Sequence, residues 1–399
     1  DLEYREEKHP DQVKSILEGQ SILAEMYYRG KVYDSATWAF QRFFDYTKAH
    51  QITDHYKISV SYRMMAYVHD ASLQDDSSVY YYNKAIESHH HQHDTTTSNF
   101  ALNYIGLAAE YTERKNNNIA NSYADSALMI IEQNNLYNFS VYHEALTEKA
   151  KALANLNRSE EALDCYQKVI NVLLERPVPS KIYLNVCYLG MANNVATLHP
   201  NERWRAEEWY LKAVRILDGQ TTFQRNYFSS MLTLSKFYRD NREYKKAQSP
   251  LLTLEKYLEN INHQPRIHYG RIYRGLARLA YNQFEYDTAK FYFRKAISYF
   301  NEKNDLSVIQ HAIMLDELAD IEENLDHDAE ALKLITESLQ ILKDQVGIHH
   351  YSYIAQLYSL AIYHRNQSNY QTAIILLKQV KAAREKQYGT QNDAYINVQ

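Results

Sequence analysis

Five cations stand at helical spacings in the second half of this chain: Lys236 and Arg239 three residues apart, then Arg271, Arg274 and Arg278 three and four apart. Asp316, Asp320 and Glu323, four and three apart and of opposite charge, stand 42 residues beyond Arg274, Arg278 and Tyr281. Residues three and four apart share one face of a helix, so a basic band lies beside an acidic one. Two kinds of chemistry suit such bands. A guanidinium fork grips a carboxylate or phosphate through two parallel hydrogen bonds, so the cations can hold an acidic side chain, a phosphate or the terminus of a bound peptide. Alternatively they pair internally with the acids of the adjoining helix, where each solvated pair is worth ~0–1 kcal/mol. With Tyr281, whose ring offers contact area at low entropic cost, the candidate ligand-binding set is Lys236, Arg239, Arg271, Arg274, Arg278, Tyr281, Asp316 and Asp320.

Bond-making chemistry has no comparable support. The nine glycines are never closer than five apart, which leaves no GxGxxG and no GxSxG elbow. Gly270 and Gly275 have the spacing of a phosphate loop, but Leu276 and Ala277 occupy the places of its Lys and Ser or Thr. There is no HExxH and no EF-hand loop, and acids on amphipathic helices read as solvated faces. Crowded histidines can take up zinc or nickel, as in HHHQH (His89, His90, His91, His93), yet only Asp94 could complete a set. That stretch reads as an exposed connection after a helix ending near Ser88. Cys165 and Cys187 form no CxxC and read as buried thiols. No catalytic residue, metal site or cofactor is expected.

Composition says what must position these side chains. Over 399 residues, 9 Gly and 6 Pro are few and 37 Tyr are many, so tight turns are scarce and long helices with short polar connections are favoured. A net charge of −5 argues against general nucleic-acid binding. No apolar run approaches the ~20 residues of a membrane-spanning helix.

The helices announce themselves as a repeat. Ala36, Ser78, Ala120, Ala162, Ala206, Ala247, Ala289, Ala331 and Ala373 are separated by 42, 42, 42, 44, 41, 42, 42 and 42 residues. Apolar residues follow four and seven positions later, as in Ala36, Phe40 and Phe43, on one helical face. Twelve residues earlier runs a second small column: Ala24, Ala66, Ala108, Ala150, Ala192 (after a two-residue insertion), Ser235, Ala277, Ala319 and Ala361. Each unit therefore holds two antiparallel helices that cross at small residues, where a larger side chain would overpack. The turns carry Asn and charged residues in place of Gly. Pro250, early in a second helix, should remove a hydrogen bond and kink it.

This pattern, as in ALANLNRSEEALDCYQKVI (152–170), resembles the tetratricopeptide repeat, in the 42-residue variant similar to kinesin light chain and to bacterial regulatory arrays. The resemblance implies an all-α, right-handed α-solenoid of about nine helix pairs. It would form one domain over 1–399, with units near 11–50, 52–92, 95–135, 138–176, 179–219, 221–261, 264–303, 305–346 and 350–388. It further implies that the first helices line a concave groove for a protein or peptide, with the candidate residues facing inward. The Lys and Asn of the family's carboxylate clamp are replaced here by Glu25, Arg63, Tyr67 and Ala109. Because Gly389 follows Gly347 by 42, residues 389–399 read as the start of a further helix or cap, and the chain as a segment of a longer protein with an effector domain beyond 399. The expected function is a non-enzymatic peptide-binding scaffold in a bacterial signalling protein. The alternatives are a stand-alone regulator that answers to a peptide and acts on a response-regulator partner, or the regulatory array of a caspase-like protease.

Overall fold

The structure, a computed structural model, describes residues 13–71, 75–91, 95–137, 140–219, 224–259, 266–299 and 305–388. Among these residues there are eighteen helices and no strand. The tenth-unit motif at 389–399 lies outside the described residues, as do His93 and Asp94.

Contacts divide the chain into two compact units, Asp1–Val172 and Leu173–Gln399. The first holds α1 (Val13–Arg29), α2 (Tyr33–Ala49), α3 (His55–Ala71), α4 (Asp75–His91), α5 (Ser98–Glu113), α6 (Asn117–Gln133), α7 (Ser140–Asn155) and most of α8 (Ser159–Leu174). The second holds α9 (Lys181–Leu198), α10 (Arg203–Arg215), α11 (Gln224–Asp240), α12 (Tyr244–Glu259), α13 (Arg266–Asn282), α14 (Tyr286–Ser298), α15 (Asp305–Asn324), α16 (Asp328–Gln345), α17 (Tyr351–Asn366) and α18 (Tyr370–Tyr388).

Both small columns lie at the helix crossings. Ala36, Ala108, Ala192, Ala277 and Ala331 are fully buried, and Ser235, a polar member, donates to the carbonyl of Ala247 across its crossing at 2.6 Å. The face set by offsets of four and seven is buried too, with Phe40, Phe43, Phe293 and Ala296 at 2% exposure or less. Chain reversal within the pairs repeats as faithfully. Lys31, Lys115, Asn157, Arg242, Phe284, Asp326 and Ser368 each stand five residues before a member of the column that starts at Ala36, and all have φ near +60°. At Arg242 the amide donates to Arg239 O at 2.9 Å and that of Glu243 to Tyr238 O at 2.8 Å, the paired bonds of a Schellman cap. Seven reversals thus place an L residue and not glycine in the left-handed region, each at a cost of ~1–2 kcal/mol.

Within the second unit, α9, α11, α13, α15 and α17 pack successively on one another as well as on their own partners. The first helices of the pairs therefore form a continuous layer, the face on which the candidate cations lie. Pro250 sits inside α12, which nonetheless runs unbroken from Tyr244 to Glu259 with Pro250 buried. His89, His90 and His91 form the last turn of α4, which extends to His91 and not to Ser88: His89 and His90 pack edge-on to Phe100 at 5.4 and 5.3 Å. Cys165 and Cys187 are buried and joined in no disulfide. Among the described residues no helix is long and apolar enough to cross a membrane.

Candidate ligand-binding trough

On the face built by α11, α13 and α15 lie two cavities of about 230 and about 350 Å³, and Arg239 and Arg278 line both. Lys236, Arg239, Arg271, Arg274 and Arg278 line the smaller one, with Leu232 and Leu251. Tyr281 and Asp320 line the larger, with Glu317. The sequence-derived set is thus brought together along one trough, apart from Asp316. Asp316 turns towards α17, where it accepts hydrogen bonds from Gln356 Nε2 and from Ser359 Oγ, the latter at 3.1 Å.

The internal pairing differs from the expected one. Arg274 and Arg278 engage neither Asp316 nor Asp320; both close on Glu317, which sequence reading passed over. Arg274 Nε lies 2.9 Å from Glu317 Oε2, its Nη1 donates to Gln310 Oε1 at 2.9 Å, and the carboxylate is only 17% exposed. Burial works to raise the pKa of Glu317, but the hydrogen bond and charge of Arg274, with Arg278, outweigh it and hold the group below the ordinary carboxylate range.

A regular offset explains the miss. First helices meet the next first helix at one residue more than the period: Arg274 with Glu317, Asp316 with Ser359, Tyr281 with Asn324 and Glu323 with Asn366 are all 43 apart. Tyr56 and Asn99 show the same offset in the first unit. The position three before the small column therefore faces the position two before the next one, and Glu317 occupies that place.

The remaining candidates divide by partner. Arg239 is tied to its neighbour Asp240 at 2.8 Å. Lys236 and Arg271 have no hydrogen bond or ion pair among the described residues, and their side chains are exposed to the trough. Surrounding protein, and then the positive charges of Arg225 and Arg274, lower the Arg271 pKa. Asp320 is reached by water yet sits low in the trough; partial desolvation, then the charges of Asp316, Glu323 and Glu317, push its pKa up to about 7. Burial likewise pushes Asp316 up to about 6, against its hydrogen bonds from Gln356 and Ser359. Two of the three hydroxyls in the smaller cavity are spent on main chain: Thr233 donates to Ser229 O and Ser235 to Ala247 O. No His or Cys lines it, and among the described residues no three of His, Cys, Asp and Glu converge as metal ligands.

No protein-family model and no curated protein matches the chain. Solved structures do match. The apo form of RapI is 15% identical, with a TM-score of 0.51 over 93% of this chain and 98% of that one. The fold is a tetratricopeptide-repeat solenoid. NprR in complex with its cognate peptide NprX is 12% identical over 82% of this chain and 93% of that one, with a TM-score of 0.47. A tetratricopeptide repeat protein from Parabacteroides merdae is 13% identical over 75% and 96%, at 0.44. At such identities the likeness concerns the fold, and the function of this solenoid has to be argued from its own trough.

Proposed function

We propose that the chain is a non-enzymatic scaffold that binds a polypeptide segment along the trough of α11, α13 and α15, as the recognition region of a signalling or regulatory protein. The observation that carries this reading is the pair of adjoining cavities, one lined by Lys236 and Arg271, which have no internal partner among the described residues, and the other by Tyr281 and an acid. A surface needed only for folding would pair its charges, as Arg274, Arg278 and Glu317 do. Here charge, an aromatic ring and open space lie along one line, which fits an extended chain better than a compact small molecule, for which pockets run from ~300 to 1,000 Å³ and are mostly enclosed and apolar. The hydroxyls nearby lack a base, so the trough holds no nucleophile of the activated kind.

The test is to select peptides from a displayed random library on the protein and map the best by hydrogen–deuterium exchange. Slower exchange in α11, α13 and α15 is the expected result. Selection that yields no peptide, or protection confined to the second helices of the pairs, would overturn the proposal.

A further inference from the structure

The repeat supplies its own comparison for the free cations. Arg278, directly after the small residue Ala277, meets Glu317 39 positions on. One repeat earlier, Lys236 follows Ser235 in the same way, and the residue 39 positions on is Gly275. Lys236 has the place of Arg278 without the carboxylate that should answer it. Arg271 has no acid at the recurring offset either: 43 positions back and forward stand Phe228 and Met314, both buried and apolar. The smaller cavity opens at this point, with Gly275 and Leu251 in its wall.

Gly275 is not readily exchanged for an acid. A Cβ on it would come within 2.8 Å of Leu251 Cδ2, closer than side chains approach without a shift. The repeat has therefore lost the acid and kept one of its two cations, Lys236; Leu232 stands in the place of Arg274, and Arg271, four residues before Gly275 on α13, brings the second charge to the cavity. A volume of about 230 Å³ is small for a whole ligand and ample for one charged group of a larger one.

We propose that the cavity beside Gly275 anchors a carboxylate supplied by the ligand, from an acidic side chain or a peptide C-terminus, held by Lys236 from the place that Arg278 has one repeat on and by Arg271 from α13. This deepens the peptide-binding reading and rests on it. It also sorts the basic band: Arg274 and Arg278 are framework, whereas Lys236 and Arg271 are ligand contacts. Because a phosphate carries similar charge in tetrahedral form, the test separates the two.

A library of fluorescent octapeptides is prepared with free C-termini, with amidated C-termini, and with a central phosphoserine. Binding is read by fluorescence anisotropy on wild type, Lys236→Gln, Arg271→Gln, Arg271→Lys and the remote control Arg215→Gln. The expected binders carry Asp, Glu or a free C-terminus. They should lose about tenfold or more on Lys236→Gln or Arg271→Gln, less on Arg271→Lys, and nothing on the control. Neither Lys236 nor Arg271 has a partner to lose among the described residues, so every variant should melt with the wild type. Peptides that bind all variants equally, or binders without an anionic group, would overturn the anchor and leave the trough reading standing. Preference for phosphoserine over every carboxylate would overturn the choice of group. Absence of any binder would overturn both proposals.

Discussion

Replacing Glu317 with Ala leaves two guanidiniums facing each other without the carboxylate they share. Arg274 is 19% exposed and Arg278 40% exposed. Removing one partner of a fully buried pair costs about 3–5 kcal/mol, because a desolvated charge remains. Here Arg274 keeps Gln310, and water can reach Arg278, so the expected loss is about 2–3 kcal/mol. Arg271→Ala is the control within the same band: it breaks no hydrogen bond among the described residues and relieves repulsion from Arg225 and Arg274, so its change should lie within about 0.5 kcal/mol or be a small gain. Urea unfolding followed by far-ultraviolet circular dichroism measures both, provided the denaturant slopes match. Equal costs for the two variants, or a loss below about 0.5 kcal/mol for Glu317→Ala, would refute the division of the band into framework and free cations.

Three further outcomes follow from the geometry. Gly106→Ala should destabilise by about 1–3 kcal/mol in a thermal or urea melt, since its Cβ would stand 2.2 Å from the buried Tyr82 ring; an unchanged midpoint would show that the ring moves freely. At Phe284, with φ of +62° and 77% exposed, substitution by Val should cost about 1 kcal/mol or more and substitution by Gly should cost nothing; the reverse order would contradict a left-handed reversal. Asp320 has a folded pKa pushed up to about 7 from an ordinary 3.8, so the folded state favours its protonated form. Its contribution to stability is complete below about pH 4 and is lost as pH rises through 7. Asp320→Asn should therefore stabilise the protein at pH 8 and change little at pH 4.5; a variant as sensitive to this interval as the wild type would show that Asp316, Glu317 and Glu323 do not act on Asp320.

Much of the fold was legible because a helix crossing tolerates only small side chains. The two Ala and Ser columns therefore marked eighteen helices, and their burial follows from the same constraint. The reversals were legible as polar stretches, but Phe284 shows that the left-handed place five residues before the column of Ala36 and Ala289 is set by the geometry of the pair and not by residue type. The trough was legible in part. Helical phase brought out the inward cations, whereas pairing depends on how far each first helix is displaced against the next. The displacement adds one residue to the period and moves the answering acid from Asp316 to Glu317. That offset could have been sought as a column of complementary residues 43 apart. The histidine run misled because a helix end with three His looks like a connection, although aromatic packing on Phe100 keeps His89 and His90 within α4.

A double-mutant cycle tests the central claim most directly. It pairs the acidic residue of the best-binding peptide, changed to Gln or Asn, with Arg271→Gln, and reads all four dissociation constants by calorimetry. A coupling of about 1–3 kcal/mol between that acid and Arg271 is the predicted result. Strictly additive losses would place the acid elsewhere and contradict the account.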